Sequence, residues 1–429
     1  MNYGFLILAI IFIMFLFFVS SCVMMPKNII LKLPNSEHFI NERERERERE
    51  KEKEKEKENE FEHQTIEERW DRRWKDLYTI KPNLCKKFFD PVQINNWENN
   101  KFQPGIIFIS IASYRDNQCI STLQNIAENA DNPENLHFVI CQQNSPLEKD
   151  CIKWCKKNPK HKACNISISH IERLSYTEAR GPTWARWRIQ QQWSGEEYFL
   201  QIDAHTRMEK HWDTILKNQL ELCPSDKPIL TQYPTEFQNV DEKDRKDPLK
   251  EKWMSGRNKK GTYVDYIDAG DGLTRVQADF TDDIVRIPYR SICWAAGFSF
   301  SKGEFIKEVG YDPYTPFLFF GEQMDIAIRA FTHGWDMFSP TINVIHHDYK
   351  RDHRKTFWEN INQHDCEVLS RFRIYERLGM IDAEEIPEKY KFILIQTKNY
   401  PLGEQRTVEE YEKIAKIDIK NEKLLSRGY

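Results

Sequence analysis

Asp203 and His205 are two potential metal ligands that directly follow an apolar run, Tyr-Phe-Leu-Gln-Ile at 198–202. The run predicts a β-strand, and in an extended chain residues i and i+2 point to the same side. The carboxylate and the imidazole could therefore bind one cation at a strand end. This pair suits Mn²⁺ better than Mg²⁺, which prefers oxygen ligands, although Mg²⁺ remains possible. Asp-x-His also occurs often by chance, so its position at the strand end is what favours a metal site.

A third protein ligand is expected from another part of the chain. His346 and His347 follow a second strand-like run at 342–345 and are the obvious source. An isolated histidine is usually structural, but two adjacent ones at a second strand end favour a ligand. Of the two we predict His347.

Ser113, Tyr114, Arg115 and Asp116 directly follow the first predicted strand, at 105–112. In a sheet wound with helices, ligands bind beyond the carboxyl ends of the strands. Tyr114 could stack on a uracil ring, and Asp116 could accept hydrogen bonds from the base or from a ribose. The alternative is a turn in which Asp116 caps the next helix.

Arg180, Gly181 and Pro182 precede a predicted helix at 183–193, and Arg186 lies in its first turns. Proline at the first helical position loses no hydrogen bond, and the free N–H groups of a helix N-terminus attract phosphate. The two arginines could add charge-assisted hydrogen bonds to that phosphate. They could equally be surface residues beside an ordinary helix cap.

Gly297 lies among small residues, where a ligand could approach the backbone closely. Glu322 and Asp325 stand at the start of another predicted helix and could hold sugar hydroxyls or lie near a reacting carbon. The plainer interpretation is helix capping, with Asp325 in the first turn.

The elements around these residues alternate in type. Strands are predicted at 105–112, 136–141, 165–171 and 198–202, and helices at 117–129, 183–193 and 210–222. This alternation predicts an α/β fold whose mostly parallel sheet carries helices on both faces. The segment 226–279 is polar with little periodicity, and we expect a long surface excursion there.

The N-terminal part of the chain predicts a membrane anchor. Residues 3–25 contain no charge and are long enough to span a bilayer as a helix, so a single-pass signal anchor is expected over 1–26. A stem follows over 27–100, with a charged low-complexity spacer at 42–58 and an amphipathic helix near 61–78. The main domain is predicted over 101–375 and a charged tail over 376–429.

Charge and cysteine content restrict the function and the compartment. A net charge of -4 argues against a nucleic-acid partner, which would require a basic surface. Cys141, Cys151, Cys155 and Cys164 could form disulfides in an oxidising compartment. Cys151, Cys155 and Cys164 could alternatively bind a structural zinc ion together with His161, although their spacing fits no common zinc module.

The motifs together resemble glycosyltransferase family 60, the polypeptide α-N-acetylglucosaminyltransferases. The resemblance covers about 105–351 and rests on the runs 109–116, 179–182, 203–205, 297–298, 321–323 and 332–335 and on His347. It implies a GT-A (Rossmann-like) fold, UDP-N-acetylglucosamine as donor, a divalent metal and retention of anomeric configuration. It also implies a protein hydroxyl as acceptor, on hydroxyproline, threonine or serine.

The residues discussed above, together with Gln323, form two predicted sets. The donor-binding set is Ser113, Tyr114, Arg115, Asp116, Arg180, Gly181, Pro182, Arg186 and Gly297, and the catalytic set is Glu322, Gln323 and Asp325. The more distant mucin-type N-acetylgalactosaminyltransferases also use Asp-x-His with a later histidine, which supports Asp203, His205 and His347 as metal ligands. Gln323 departs from the expected glutamate, because an amide keeps the hydrogen bonds but loses the charge.

Three questions stay open at the level of sequence. The anchor resembles that of secretory family members and places the domain in the lumen, whereas Lys27 and Lys32 after the span favour the cytosolic side. The reaction could instead transfer another sugar or invert configuration, with Asp325 as general base. A degenerate, non-catalytic sugar-binding protein is the remaining alternative, which Gln323 favours and the intact ligand set opposes.

Overall fold

The computed structural model of the chain describes residues 63–165, 170–236, 258–281, 287–350 and 354–427. The predicted anchor at 1–26 and the charged spacer at 42–58 lie outside these residues. Within them, no helix has both the length and the apolar character that crossing a bilayer requires. The described residues from Gln64 onward belong to one compact unit.

Strands and helices are interspersed along the chain of this unit. The strands are β1 (Gln103–Tyr114), β2 (Leu136–Asn144), β3 (His170–Ser175), β4 (Glu196–Asp203), β5 (Thr206–Met208), β6 (Pro228–Thr231), β7 (Thr235–Glu236), β8 (Asn258–Ile267), β9 (Thr274–Thr281), β10 (Tyr289–Ser291), β11 (Phe298–Lys302), β12 (Asp336–Ser339), β13 (Ile345–His347), β14 (Ile417–Asp418) and β15 (Lys423–Leu424). The helices are α1 (Ile66–Thr79), α2 (Pro82–Cys85), α3 (Cys119–Asn129), α4 (Lys162–Asn165), α5 (Pro182–Gln190), α6 (Trp212–Glu221), α7 (Glu304–Glu308), α8 (Glu322–Thr332), α9 (Phe357–Asn360), α10 (His364–Arg377) and α11 (Val408–Ala415).

A central sheet of 8 strands has the order β10-β12-β6-β11-β4-β1-β2-β3. β1 pairs in parallel with β2 and β4, β2 with β3, and β6 with β12. β11 is antiparallel to both of its neighbours, and β10 is antiparallel to β12. The predicted α/β class is confirmed, and the sheet is rich in parallel pairs, with antiparallel strands in the half beyond β4.

Strand β1 shows why the sheet is covered on both faces. Phe108 belongs to the apolar core on one face, whereas Ile107, Ile109 and Ile111 belong to the core on the other. Successive side chains of a strand point to opposite faces, so a run that is apolar at every position must be buried on both sides. This explains the near-continuous apolar run seen in the sequence.

The surface excursion predicted over 226–279 is wrong for the described parts, 226–236 and 258–279, and the rest of that segment lies outside the described residues. Strand β6 is a buried interior strand of the sheet, and the hairpin β8–β9 buries Val264 and Leu273. A buried strand of four residues is too short to show a periodicity, and its polar surroundings concealed it. The third predicted strand is also displaced, because β3 begins at His170 rather than at residue 165.

Both ends of the described chain contribute to the core of the same unit. In α1, from the predicted stem, Trp70 packs edge-on against Tyr375, and Trp74 packs against Phe372. A disulfide joins Cys85, which ends α2, to Cys366 in α10.

The C-terminal segment packs against the same core. Within 376–429, which the sequence suggested as a charged tail, Tyr390, Tyr411 and Ile417 are buried. These residues therefore belong to the packed unit that carries the site.

Candidate active site

A cavity of about 260 Å³ opens where β1 and β4 end. Tyr114 and Asp203, the last residues of these strands, both line it. The residues of the predicted site that line the cavity are Tyr114, Asp116, Gly181, Pro182, Arg186, Asp203, His205, Gly297, Glu322, Gln323 and His347. The cavity therefore lies at the carboxyl edge of the parallel strands, where the sequence placed it.

Asp203, His205 and His347 form a compact cluster in the cavity wall. One potential ligand atom from each lies within 4.8 Å of the others. His347 Nε2 is 3.0 Å from Asp203 Oδ2, and the two imidazole rings are 4.4 Å apart between centroids. Two atoms bound at right angles to one ion at about 2.1 Å would lie about 3.0 Å apart, so this separation suits shared coordination.

Strand pairing explains how residues so far apart in sequence meet. β5 begins just after His205, and β13 pairs with it so that His347 lies opposite Thr206. The backbone N–H of Asp348 donates to the carbonyl of His205 at 3.1 Å. Residues 204–205 form a turn rather than the extended chain assumed from the sequence.

His346, on the other face of β13, lies outside the metal-ligand cluster. Its Nδ1 lies 2.8 Å from Thr235 Oγ1, and its Nε2 lies 2.9 Å from Glu209. Neighbouring residues of a strand point to opposite faces, so the two histidines cannot share one site. The choice of His347 over His346 agrees with this geometry.

Asp116 holds His205 in place. Its Oδ2 lies 2.8 Å from His205 Nδ1, and its Oδ1 accepts the backbone N–H of Gln118 at 2.8 Å. A carboxylate on the far nitrogen of an imidazole fixes the ring and its tautomer and directs the other nitrogen to a metal. The structure thus gives Asp116 a turn-forming role and a positioning role next to the cluster.

The cluster fits a divalent cation by the chemistry of its donors. Burial lowers the pKa of His205, and the nearby His347 adds to this, against the opposing effect of Asp116. A neutral imidazole is the form that binds metals. The Nδ1 atom of His347 is buried without a hydrogen-bond partner among the described residues. One carboxylate and two imidazoles suit Mn²⁺, Zn²⁺ or Fe²⁺ better than an ion that requires only oxygen.

Arg186 connects the cluster to Glu322. Its buried guanidinium pairs with Asp203 Oδ1 at 3.0 Å and with Glu322 Oε1. Burial alone would raise the pKa of Asp203, but the hydrogen bond with His347 and the charge of Arg186 hold it well below its usual range. Arg186 therefore keeps Asp203 ionised, and its pairing with two carboxylates leaves it less available to a phosphate than the sequence suggested.

The start of α5 lies at the cavity wall as predicted. Gly181 has a φ of 91°, and a Cβ there would come within 3.1 Å of the Phe317 backbone. Only glycine avoids both the backbone strain and this close approach. Pro182 occupies the first helical position and lacks an N–H that the helix could not have used.

Four predicted residues are not among those that line the cavity: Ser113, Arg115, Arg180 and Asp325. Ser113 alternates with Tyr114 along β1 and is fully buried. Arg115 pairs with Glu148 at 2.7 Å, and Arg180 lies over the ring of Trp184. The side chains of Arg115 and Arg180 thus have protein partners outside the cavity lining.

The three residues of the predicted catalytic set have different surroundings. Glu322 Oε1 accepts hydrogen bonds from Arg186 and from the hydroxyl of Tyr311. Gln323 Oε1 accepts the hydroxyl of Tyr233 at 2.7 Å. Asp325 is bound by Arg377 at 2.7 Å and lies one helical turn behind the cavity wall.

Sequence reasoning missed several residues that line the cavity. Arg354 lines it and pairs with Asp116 at 3.2 Å, and Tyr233 lines it and donates its hydroxyl to Gln323. Phe319, Phe320 and Trp358 also line it. Arg354 stands in a charged run, where no spacing distinguishes it from its neighbours, and only its position shortly after His347 could have pointed to it.

The zinc alternative for the cysteines is wrong. Cys151 pairs with Cys119 and Cys155 with Cys164, while Cys141 is a buried free thiol. Among the described residues, Asp203, His205 and His347 are the one group of three potential metal ligands that lie close together.

Comparison with known proteins gives one family, and the solved structures that resemble this chain include GalNAc-T7 and S. aureus TarS. The structure of GalNAc-T7 with UDP, GalNAc and Mn²⁺ is 13% identical, with a TM-score of 0.45 over 76% of this chain and 61% of that one. S. aureus TarS 1–349 in complex with UDP-GlcNAc is 13% identical, with a TM-score of 0.39 over 67% of this chain and 69% of that one. The chain thus spans about three fifths of the length of the GalNAc-T7 chain.

No curated protein sequence matches the chain. The family model described as Glycosyltransferase (GlcNAc) matches residues 106–166 and 148–421. The matched ranges include every residue of the cluster and of the cavity wall considered above. Because this model matches well over half of the chain, the protein belongs to the GlcNAc glycosyltransferase family and is a glycosyltransferase.

Proposed function

We propose that the protein transfers N-acetylglucosamine from UDP-GlcNAc to a hydroxyl group of a protein, with retention of anomeric configuration and with a divalent cation. The observation that carries this proposal is the cluster of Asp203, His205 and His347 in the wall of the cavity at the strand ends. Its donor set favours Mn²⁺. The family description supports GlcNAc as the sugar.

Asp203, His205 and His347 would hold the cation, which supplies positive charge to a diphosphate when bound. The chain adds its own positive groups on two sides of the same cavity. The N-terminus of α5 at Gly181 and Pro182 provides backbone N–H groups and the positive end of a helix dipole. Together these groups would bind the UDP phosphates and stabilise the charge that grows on the departing UDP.

Arg354 is the second source of positive charge. It lines the cavity and pairs with Asp116, and its side chain is largely buried. A diphosphate that enters the cavity would compete with Asp116 for this guanidinium and gain charge-assisted hydrogen bonds. Arg354, rather than Arg180, is therefore the arginine that we assign to the donor.

The partners of the acidic residues in the cavity support retention of the anomeric configuration. The acidic residues that line the cavity in the described part of the chain are Asp116, Asp203, Glu322 and Asp348, and each is engaged by an arginine, an imidazole or an amide. A general base must be within reach of the acceptor hydroxyl and able to take its proton. Without such a base, an oxygen of the departing UDP is the natural proton acceptor. The acceptor hydroxyl then approaches the sugar on the face that UDP leaves, and the anomeric configuration is retained.

Inversion by Asp325 is the less favoured mechanism. Asp325 is paired with Arg377 at 2.7 Å and lies 3.7 Å from Arg329. Because these arginines hold it and it does not line the cavity, Asp325 is badly placed to take a proton from an acceptor hydroxyl there. We assign Asp325 to the support of α8 and assign Glu322 and Gln323 to the sugar side of the cavity.

The disulfides indicate the type of cellular compartment in which the domain lies. Cys85–Cys366, Cys119–Cys151 and Cys155–Cys164 are paired, and such bonds persist in oxidising compartments. We propose that the domain faces the lumen of the secretory pathway, held there by the predicted anchor at 1–26. Protease protection of the expressed full chain in intact microsomes tests this, and cleavage without detergent would contradict it.

The activity test is a panel of UDP-sugars incubated with the purified protein and Mn²⁺, scored by release of UDP. We expect UDP-GlcNAc to be hydrolysed fastest and hydrolysis to stop with EDTA. Asp203→Ala and His347→Ala should each abolish it, whereas the matched control His211→Ala, at an exposed histidine outside the cavity wall, should not. Undiminished hydrolysis by Asp203→Ala would contradict the metal assignment.

The stereochemistry is read from the product. Proton NMR of the first-formed glycoside should show the α anomer, because UDP-GlcNAc carries its sugar in the α configuration. A β product would contradict retention. Binding of UDP-GlcNAc without hydrolysis or transfer would favour the non-catalytic alternative.

A further inference from the structure

Phe319, Phe320 and Trp358 form an aromatic ridge at the mouth of the cavity. All three line the cavity and yet leave 38%, 47% and 45% of their surface exposed. The ring of Phe319 lies 5.0 Å from that of Phe320 and 4.9 Å from that of Trp358. Large aromatic side chains are usually well buried, and adjacent exposed apolar groups beside a cleft indicate a binding surface.

The aromatic ridge borders the part of the cavity assigned to the sugar. Phe319 and Phe320 immediately precede Gly321, which begins α8 ahead of Glu322 and Gln323. On the other side, Trp358 follows Phe357, whose ring packs edge-on against Tyr114 at 5.6 Å. A molecule lying on the ridge would therefore lie beside the residues that we assign to the sugar.

The chemistry of the aromatic ridge is apolar. The planes of neighbouring rings meet at 85° and 70°, which leaves steps between rings rather than one flat platform. Arg275 lies 4.1 Å over Phe320 and is paired with Asp271 at 2.8 Å and Asp268 at 3.1 Å. Steps between rings accept apolar side chains, whereas an oligosaccharide would need polar groups for its hydroxyls.

We propose that the aromatic ridge binds the residues flanking the acceptor hydroxyl, so that the enzyme selects an extended peptide segment with bulky uncharged apolar residues beside its target. This inference rests on the proposed transfer to a protein hydroxyl and adds the acceptor's local sequence to it. Burial of about 60 Å² of apolar surface on the ridge corresponds to roughly a tenfold preference.

The test compares two peptides within each enzyme variant. Both carry one threonine, in a parallel series one hydroxyproline, with leucine on both sides in one peptide and glutamine on both sides in the other. We expect wild-type kcat/KM to favour the leucine peptide by about tenfold or more. Trp358→Ala and Phe320→Ala should each reduce this ratio to about threefold or less. Because the ratio is taken within one variant, it does not depend on how well that variant binds the donor.

Phe102→Ala is the matched control. Phe102 is 62% exposed and precedes β1, whereas the cavity lies at the other end of this strand, roughly 40 Å away. Its removal should leave the ratio unchanged. A wild-type ratio near one, an unchanged ratio in both ridge variants, or faster transfer to chitotriose than to every peptide would overturn the inference. Release of UDP from UDP-GlcNAc in the same samples tests the proposed function separately.

Discussion

Replacement of Arg186 by methionine should destabilise the protein strongly, because Arg186 is the buried cation between two carboxylates. The guanidinium pairs with Asp203 and Glu322, and Glu322 is 4% exposed. Arg186→Met removes the cation and leaves Glu322 with the hydroxyl of Tyr311. Loss of one partner of a buried pair costs about 3–5 kcal/mol, mainly because a charge remains buried without compensation.

Arg188→Met provides a matched control on the same helix. Arg188 pairs with Glu172, but their side chains are 34% and 19% exposed, so water screens the pair. Its loss should cost about 1 kcal/mol or less. The double variant Arg186→Met/Glu322→Gln should recover much of the stability, because no uncompensated carboxylate remains at that position.

Equilibrium unfolding in urea, with EDTA present and disulfides intact, measures these differences. The intrinsic fluorescence of the 12 tryptophans reports unfolding. The reasoning is refuted if Arg186→Met and Arg188→Met have equal unfolding midpoints, or if the double variant is as unstable as Arg186→Met. The same samples without EDTA would show whether added Mn²⁺ raises the wild-type midpoint, as binding to the folded state requires.

Three further predictions concern metal affinity, cross-linking and acid stability. Asp116→Asn should raise the Kd for Mn²⁺ by roughly 10–100-fold in calorimetric titration, because the charge that orients His205 is lost; an unchanged Kd would show that Asp116 only shapes the turn. Cys85→Ser/Cys366→Ser should lower the free energy of unfolding by about 2–5 kcal/mol, and equal urea midpoints for this variant and the wild type would argue against the cross-link. Burial raises the pKa of Asp312, but two buried arginines lower it to about 2, so its contribution to stability is present above about pH 4 and is lost as the pH falls towards 2. Asp312→Asn should therefore lose less stability than the wild type between these pH values, and parallel losses would contradict this assignment.

The sequence predicted best those features that depend on local order along the chain. β1 and β4 could be predicted because strands buried on both faces are apolar at nearly every position. The start of α5 was visible because Gly181 and Pro182 are the residues that such a helix start requires. Asp203 and His205 were recognised because they directly follow a strand.

The sequence was less informative where contacts between distant segments decide the role of a side chain. Arg180 and Arg186 looked equivalent beside the same helix, yet one lies over Trp184 and the other joins Asp203 to Glu322. Asp325 looked as suitable for catalysis as Glu322, but its position in α8 directs it to Arg377. Arg354 gave no signal, because an arginine in a charged run acquires its role only from what the fold places beside it.

The amino-acid sequence by itself predicted the α/β class, the carboxyl edge at which the site lies and the three residues of the metal-ligand cluster. These follow from periodicity and from short-range geometry, which act over a few residues. The tertiary structure alone decided that His347 meets Asp203 at 3.0 Å across 144 positions of sequence. The tertiary structure also decided that three exposed aromatic rings border the cavity. Long-range strand pairing and packing cannot be predicted from the spacing of residues along the chain.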